Sequence, residues 1–306
     1  MTTNVPFVSI IVPVHNCENR IEKCIQSLLN QDYPKDRFEI IIVDNNSQDK
    51  TKEIIKKYPV QYAFEGSTQT SYAARNTGVR ASKGDIIAFT DDDCIPFKNW
   101  LSEGVSFFNQ IEIGCVAGEI IADEPQNYIE EYLNSKCTLS QKWTMKHKFL
   151  PYPQTANAFY KKDVFNKIGY FEEKWPSGGD ADFAWRMRLN SEYKLILNPK
   201  SVVKHRHRST LKSMYIQKVK WGVGRVLLYK KYKIEMGKRK PSETLRDLKI
   251  LFFYFTNLIK AYVRRNKTEE GRKISNRVKC YLDLVDYGGG KIGELTGSIR
   301  YGVYYV

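Results

Sequence analysis

The stretch that decides the fold is Asp85-Ile86-Ile87-Ala88-Phe89-Thr90-Asp91-Asp92-Asp93-Cys94. Its apolar half, residues 85–89, is typical of a short buried strand. Three carboxylates follow at residues 91–93, and like charges this close repel each other, the more so when buried. Solvent or a bound cation relieves the repulsion, and oxygen ligands suit Mg²⁺, Ca²⁺ or Mn²⁺. Taken alone, the triplet is more typical of a solvated turn than of a cation site.

Strands and helices alternate before this stretch. Apolar runs predict three strands, at residues 7–14, 38–43 and 60–64. Helical spacing and end signals predict helices after each of them, at residues 17–29, 49–58 and 70–82. We expect Asn16 and Ser47 to cap the first two helices and Gly84 to end the third in a left-handed conformation. This alternation predicts right-handed crossovers and a parallel sheet.

The pattern after the acidic triplet is less regular. Pro96 is expected to open a helix that reaches about residue 108. Further helices are predicted at residues 126–143 and 163–168, the second closed by Gly169, and strands at 114–121, 155–160, 194–197 and 201–205. Ser177-Gly178-Gly179 leads into a helix that starts near Asp180. A carboxylate there is stabilised by the helix dipole, and Asp180 is equally typical of a plain N-cap.

Polar residues follow three of the predicted strands. They are His15-Asn16, Asp44-Asn45-Asn46 and Asp91-Asp92-Asp93. Because ligands of open α/β sheets lie beyond the carboxyl ends of the strands, the three groups together predict a site. The chain has no Gly-x-Gly-x-x-Gly and no Gly-x-x-x-x-Gly-Lys-Ser/Thr, which disfavours a dinucleotide fold and a P-loop.

Charge is unevenly distributed along the 306 residues. The net charge is +15, with −3 in residues 1–199 and +18 in residues 200–306. Such asymmetry predicts a polyanionic partner, either an anionic membrane or a nucleic acid. The six cysteines form no Cys-x-x-Cys pair, and the first residues lack the positive start of a signal peptide. We therefore expect a cytoplasmic protein with free thiols.

Seven motifs in order resemble those of the family-2 glycosyltransferases. They are Pro13-Val14-His15-Asn16, the turn from Asp44 to Thr51, Ala74-Arg75-Asn76-Thr77-Gly78, Gly84-Asp85, the Asp-x-Asp motif at Asp91-Asp92-Asp93, Gly169-Tyr170-Phe171-Glu172-Glu173, and Gly179-Asp180-Ala181-Asp182 through Arg186. Each motif is weak alone, whereas seven at family-like spacings over residues 7–207 are specific. Two positions depart from the family pattern: Gly179 replaces a glutamate, and His15 replaces an aromatic residue.

The resemblance implies the GT-A fold, a Rossmann-like α/β fold with a mixed, mostly parallel sheet flanked by helices. It implies a catalytic domain at residues 1–207, with a nucleotide-binding half at about 1–121 and an acceptor half at about 122–207. Residues 208–306 would then form a basic, mostly helical extension.

The resemblance also implies a metal-dependent, inverting glycosyltransferase, of the hexosyltransferase class, in polysaccharide biosynthesis. The donor would be a nucleotide-sugar, with a UDP-sugar favoured, and the acceptor a lipid-linked or surface glycan. Asp93 and His205 would bind Mn²⁺ or Mg²⁺, and Asp180 would be the general base. The nucleotide-sugar would contact Pro13, Val14, His15, Asn16, Asp44, Asn46, Arg75, Asp91 and Asp92.

Three further residues receive supporting roles. Asp182 and Arg186 would order the loop and helix, since residues four apart share one helix face. Trp175, on the loop before Asp180, suits stacking on a sugar ring and is equally typical of a core aromatic.

The C-terminal third predicts helices at residues 210–232, 244–266 and 269–287. Residues 250–259 are uncharged but too few to span a bilayer, and Lys249, Lys260, Arg264 and Arg265 flank them. This pattern favours a helix in the interface of an anionic membrane, with packing on the catalytic domain as the alternative.

Two other function classes fit parts of the sequence. A nucleotidyltransferase also joins an α/β sheet to paired carboxylates, but the chain offers no Gly-rich phosphate loop near its start. A non-enzymatic basic protein that binds membranes or nucleic acid would explain the C-terminal third and leave the carboxylates at the strand ends unexplained. Glycosyl transfer, with no nucleic-acid partner, accounts for both parts.

Overall fold

The computed structural model describes residues 5–237, 239–263 and 274–305. Residues 264 and 265, two of the four expected flanking cations, lie outside the described residues. The chain forms two compact units. The first consists of Met1–Asp123, Leu139–Trp175 and Gly179–Arg206, and the second of Glu124–Thr138, Pro176–Gly178 and His207–Val306.

Within the described residues, the first unit contains one eight-stranded sheet. Its strands are β1 Val8–Val14, β2 Phe38–Asp44, β3 Gln61–Phe64, β4 Ile86–Thr90, β5 Cys94–Pro96, β6 Ile113–Ala122, β7 Asn157–Lys161 and β8 Lys194–His205. Their order is β3-β2-β1-β4-β7-β6-β8-β5. The pairs β1–β2, β1–β4, β2–β3 and β6–β8 are parallel, whereas β7 is antiparallel to β4 and β6, and β5 is antiparallel to β8. The sheet is therefore mixed, with parallel pairs in the majority.

The helices fall between the strands and at the C-terminal end. They are α1 Ile21–Leu29, α2 Thr51–Ile55, α3 Ser71–Ala81, α4 Trp100–Val105, α5 Tyr128–Ser135, α6 Gln141–Thr144, α7 Lys162–Ile168, α8 Gly179–Asn190, α9 Leu211–Met236, α10 Pro241–Val263 and α11 Asn276–Tyr301. The β–α alternation that the sequence predicts over residues 7–94 is confirmed.

The central strands are buried on both faces, which explains their unbroken apolar sequences. Every residue of β1 and β4 is buried. Alternate residues of β1 enter two separate cores, Ile10 and Val12 on one face and Ile11 on the other. Burying one such side chain contributes roughly 1.5–3 kcal/mol, so the two cores fix the sheet on which the strand ends are arranged.

Three expected helix ends are wrong. The residue before α1 is Arg20, and the backbone amide of Asn16 instead donates to Ser47 Oγ. The residue before α2 is Lys50, and Asp49 Oδ1 accepts from the amide of Thr51. Helix α3 ends before Ser82, whose φ is −73°, without a left-handed residue. The loop after β1 contacts the loop after β2, and this contact engages Asn16 and Ser47, which local capping rules assign to the helices.

Two other expected elements differ in the structure. Residues 94–96 form strand β5, so the helix predicted from Pro96 begins only at Trp100. The helix predicted at residues 126–143 is two helices, α5 and α6, and the chain between them has positive φ at Cys137 and Leu139. Gly169 ends α7 with φ of 78°, as predicted.

The second unit is built from helices. Helix α11 passes through Gly288-Gly289-Gly290, beyond the predicted end at residue 287. Glycines allow α9 and α11 to touch, because a Cβ on Gly222 would lie 2.2 Å from the carbonyl oxygen of Gly290. Close packing here outweighs the low helix propensity of glycine. No described helix is long and apolar enough to cross a membrane.

Candidate active site

The carboxyl ends of β1, β2 and β4 lie side by side at one edge of the sheet. Val14 pairs with Asp44 across β1 and β2, and Ile11 pairs with Phe89 across β1 and β4. The polar residues after the three strands therefore meet at this edge, as their sequence positions predict. The side chains of Pro13 and Val14 are buried within β1.

The loops after β1 and β2 are held to each other. His15 Nδ1 lies 2.9 Å from the carbonyl oxygen of Asn45, and Asn16 Oδ1 accepts from the amide of Gln48 at 2.8 Å. Asn16 and Asn46 both have positive φ, 47° and 63°, a conformation that asparagine tolerates better than most residues. These contacts fix the exposed side chains of His15 and Asn16 beside the second strand end.

Asp44 is a buried carboxylate with both oxygens engaged. Its Oδ1 accepts from the amide of Ser47 at 2.9 Å, and its Oδ2 accepts from the Tyr62 hydroxyl at 3.0 Å. Burial together with this carboxylate raises the pKa of Tyr62 to about 12, so the phenol remains a donor. Each carboxylate oxygen has a second lone pair, which leaves Asp44 able to accept further hydrogen bonds.

Asp91 forms an ion pair with Arg75 of α3, at 2.5 Å from Nη2 to Oδ1. The Arg75 side chain is 4% exposed, and its Nε has no hydrogen-bond partner among the described residues. A buried guanidinium donor without an acceptor costs stability unless a ligand supplies one. Arg75 and Asp91 therefore lie together, with one donor of Arg75 left for a ligand.

Asp92 is held by a residue that the sequence analysis missed, Arg20. The guanidinium donates from Nε to Oδ1 at 3.2 Å and from Nη2 to Oδ2 at 2.8 Å. Burial, with the nearby charge of Asp93, raises the pKa of Asp92 to about 6, although Arg20 opposes the shift. The two residues are 72 positions apart, and no local pattern in the sequence marks Arg20 as a partner.

Asp93 and His205 come together through strand pairing. Cys94 of β5 is the register partner of His205 in β8, and the amide of Arg206 donates to the Asp93 carbonyl at 2.9 Å. The Asp93 Oδ1 atom lies 3.4 Å from His205 Nε2, and both side chains are less than 10% exposed. His205, chosen from the sequence because it ends a strand, therefore lies next to Asp93, and its role as a metal ligand stays a prediction.

Asp93 and His205 fit a divalent cation whose remaining ligands come from a phosphate. In the part of the chain that is described, no group of three or more His, Cys, Asp or Glu side chains is placed to hold a metal ion. Asp93 and His205 offer one carboxylate and one imidazole. Mg²⁺ is commonly held by one or two carboxylates together with substrate phosphates, so two protein ligands suffice beside a diphosphate.

Asp180 lies in the first turn of α8, as predicted, and is half-buried. Burial raises its pKa, while the charge of Arg75 opposes the shift and that of Asp91 adds to it. Its Oδ1 accepts from the amide of Ala181 at 3.1 Å and from the Tyr72 hydroxyl at 3.4 Å. A carboxylate with a raised pKa beside a charged pair is suited to general-base chemistry.

The supporting residues take defined positions. Asp182 accepts from Arg186 Nε at 2.9 Å, and the Arg186 guanidinium also donates to the carbonyl of Tyr170. This pair ties α8 to the preceding loop. Trp175 is partly buried and packs against the core that contains Ile11.

Tyr72 is a second residue that the sequence analysis missed. It lies on α3 three positions before Arg75, and side chains three apart share a helix face. Tyr72 and Asp180 are 108 residues apart, so no local pattern predicts their contact. The position of Tyr72 close to Arg75 in the sequence is the one clue.

The fold and this edge of carboxylates define a class of enzyme, the GT-A glycosyltransferases. The model of "Glycosyl transferase family 2" matches residues 9–169 of the chain. The chain belongs to this family.

Two curated relatives illustrate the similarity. The chain is 37% identical over 192 residues to glycosyltransferase AglE from Haloferax volcanii, covering 61% of this chain and 62% of that protein. It is 27% identical over 241 residues to a Methanococcus voltae enzyme named as a dolichyl N-acetyl-alpha-D-glucosaminyl phosphate 3-beta-D-2,3-diacetamido-2,3-dideoxy-beta-D-glucuronosyltransferase, covering 74% of each.

A solved structure shares the fold at low sequence identity. It is the mannosyltransferase PcManGT from Pyrobaculum calidifontis in complex with GDP-Man and Mn²⁺. The TM-score is 0.64 at 17% identity, covering 96% of this chain and 88% of that one. The GT-A fold expected from the sequence is confirmed, and the relatives favour glycosyl transfer over the two alternative function classes.

Proposed function

We propose that the chain transfers a sugar from a nucleotide-sugar to an acceptor hydroxyl with inversion at the anomeric carbon. The observation that carries the proposal is Asp180, a half-buried carboxylate whose pKa is raised next to the Arg75–Asp91 pair. Asp180 supplies a base and the neighbouring Arg75 supplies a guanidinium that can bind an anion, and the reaction needs both.

The donor would be recognised at the strand ends. Asp44 is proposed to accept from the base and Asp91 from the ribose, while Arg75 Nε donates to a diphosphate oxygen. Beside them, the nucleotide would be lined by His15, Asn16, Asn46 and the backbone of Pro13 and Val14. Asp92 would contribute to the nucleotide site through its ion pair with Arg20. We favour a UDP-sugar, and the structurally similar mannosyltransferase was solved with GDP-Man.

Asp93 and His205 would hold Mn²⁺ or Mg²⁺, whose chemistry there is neutralisation of charge on the leaving diphosphate. Asp180 takes the proton from the acceptor hydroxyl as its oxygen bonds to the anomeric carbon. The bond from that carbon to the diphosphate oxygen breaks on the opposite face. The products are the inverted glycoside, the nucleoside diphosphate and a protonated Asp180.

Residues 1–207 are proposed as the catalytic part, with acceptor contacts from residues 122–207. Asp182 and Arg186 would order α8, and Trp175 would border the sugar. A lipid-linked or surface glycan is the proposed acceptor, a class that includes the dolichyl N-acetyl-alpha-D-glucosaminyl phosphate in the name of the Methanococcus voltae relative.

Release of nucleoside diphosphate tests the proposal. The protein would be incubated with UDP-, GDP- and dTDP-sugars, Mn²⁺ or Mg²⁺, and a glycolipid extract or polyprenyl-phosphate sugars as acceptors. We expect one donor to yield acceptor-dependent release and an Asp180→Asn variant to yield none. Release that is equal in the variant would contradict the assignment of the base.

We also propose that α10 lies on an anionic membrane surface. Six of its eight exposed large apolar residues follow helical spacing along one face, at Leu245, Leu248, Phe252, Phe255, Ile259 and Tyr262. Ala261 is the one described α10 residue that is buried. Exposed cations accompany this apolar face on the same helix, at Arg246, Lys249 and Lys260. An apolar face with flanking cations is typical of a helix in the headgroup region.

Co-sedimentation with liposomes tests this surface. We expect binding to vesicles with phosphatidylserine that weakens with salt, and its loss in a Phe252→Ser/Phe255→Ser variant. Ile111→Ser is the matched control, because Ile111 is an exposed apolar residue of the first unit. Unchanged binding by the double variant would contradict the proposal, and loss of self-association in that variant would assign the face to a second copy.

A further inference from the structure

We infer that Tyr72 is a positioning residue that holds the Asp180 carboxylate in place. The inference rests on the proposed role of Asp180 as the base. Tyr72 extends from α3, is 6% exposed, and has its hydroxyl between the backbone of Gly179 and the side chain of Asp180. The contact joins the helix that carries Arg75 to the helix that carries the base.

The hydrogen bonds around the hydroxyl have a defined direction. The Gly179 amide donates to the hydroxyl oxygen at 2.9 Å, and the single hydroxyl proton is then available to Asp180 Oδ1 at 3.4 Å. The Ala181 amide donates to the same Oδ1. Two donors thus hold one carboxylate oxygen, which leaves Oδ2 to receive the proton of the acceptor.

The glycine before the base is required by the tyrosine ring. A Cβ at position 179 would lie 2.8 Å from Tyr72 Cζ and 2.9 Å from both Cε atoms. Side chains cannot approach so closely, so only glycine lets the amide reach the hydroxyl. A larger residue at position 179 would therefore collide with the Tyr72 ring.

The same ring links the base to the donor site. It stacks on Phe171 with centroids 5.8 Å apart, and the Arg75 guanidinium lies 5.7 Å from its centroid. Arg75 in turn pairs with Asp91. Tyr72 thereby fixes the base relative to the residues proposed to bind the nucleotide and diphosphate.

Removal of the hydroxyl alone tests the inference. Tyr72→Phe keeps the ring against Phe171 and Arg75, so we expect the KM for the donor to stay within about two-fold. Loss of a hydrogen bond to a charged group predicts a fall in kcat of roughly 10- to 100-fold. Because the carboxylate loses a donor, its pKa rises further, and the acidic limb of the kcat–pH profile moves to higher pH.

Tyr33→Phe is the matched control. Tyr33 is also 6% exposed, and its hydroxyl donates to the Pro6 carbonyl at 2.7 Å. We expect a change in stability without a shift of the pH profile. Unchanged kcat and pH profile in Tyr72→Phe, with an inactive Asp180→Asn, would overturn this inference alone. An active Asp180→Asn would instead overturn the proposed function.

A double variant tests the steric part. Gly179→Ala should lower kcat in the wild-type background and have a smaller effect in a Tyr72→Ala background, where the ring is gone. Equal effects in both backgrounds would contradict the fit between Gly179 and Tyr72.

Discussion

Three carboxylates of the site differ because their neighbours differ. Asp91 is paired with a buried arginine, Asp92 is pinned by Arg20, and Asp93 faces His205. Asp91, Asp92 and Asp93 carry the same charge, and their different partners give them different roles. Asp93 and His205 could be selected from the sequence, whereas the contacts of Arg20 and Tyr72 join chain segments that are far apart.

Asp180→Asn should strongly reduce transfer without destabilising the protein. A general base contributes about 10²- to 10⁴-fold, so kcat should fall by that amount. Burial raises the pKa of Asp180 in the folded protein. Ionisation of Asp180 therefore opposes folding once the pH exceeds the pKa of this group in the unfolded chain. An uncharged amide should therefore keep the melting temperature at or above that of the wild type, as differential scanning calorimetry would measure. A lower melting temperature would contradict the burial argument.

Wild-type transfer should increase with pH through the raised pKa of Asp180, because the base acts in its ionised form. The kcat–pH profile is the measurement. A profile that is flat from pH 4 to pH 8 would show that no carboxylate with a raised pKa limits the reaction.

Arg20→Ala should destabilise the protein more at high pH than at low pH. The pKa of Asp92 is about 6 in the folded protein, so stability falls as pH rises from about 4 through 6. Without Arg20 the pKa rises further and a buried charge is left unpaired above it, at a cost of roughly 1–3 kcal/mol. Urea unfolding of the wild type and of Arg20→Ala at pH 5 and pH 8 measures the loss of stability. An equal loss at both pH values would contradict the pairing of Asp92 with Arg20.

At the scale of elements, helix α3 sets the distance between the site residues and the sheet. Gly78 of α3 faces β1, and a Cβ there would lie 2.4 Å from Ile11 Cγ2 and 3.1 Å from Val43 Cγ2. The close approach places Tyr72 and Arg75 over the strand ends. A larger residue would push the helix and its site residues away from the sheet.

Gly78→Ala should therefore lower the free energy of unfolding by about 1–3 kcal/mol, the usual cost of overpacking. Tryptophan fluorescence follows this unit, because four of the five tryptophans, Trp100, Trp143, Trp175 and Trp185, belong to it. Gly288→Ala in α11 is the control, since a Cβ there meets no atom within 4 Å. A Gly78→Ala variant as stable as the control would contradict the packing argument.

The elements that the sequence predicts well are those whose burial is uniform. Strands β1, β2 and β4 are mostly apolar and mostly buried, and their alternation with helices predicts the fold class. The caps and residues 126–143 were not predictable, because Asn16, Ser47 and Cys137 respond to contacts between loops or to backbone turns that no local rule contains.

At the scale of the molecule, α5 belongs to the second unit. Its residues Ile129 and Leu133 share a core with Met214 and Leu282. A fragment that ends at residue 207 keeps α5 and loses those partners. We expect this fragment to bind ANS and to aggregate, and Ile129→Ser/Leu133→Ser to reduce both effects. A monomeric fragment with native stability would show that α5 does not need the C-terminal helices.

The most direct test of the central claim is a thermal-shift measurement with UDP-, GDP- and dTDP-sugars, each with Mn²⁺, Mg²⁺ or EDTA. By mass action, a donor that binds only the folded protein raises its melting temperature. We predict that one donor stabilises the wild type with a divalent cation, that EDTA removes the effect, and that Asp93→Asn lacks it while the exposed Asp36→Asn keeps it. Failure of every donor to stabilise the wild type, or full stabilisation of Asp93→Asn, would contradict the account.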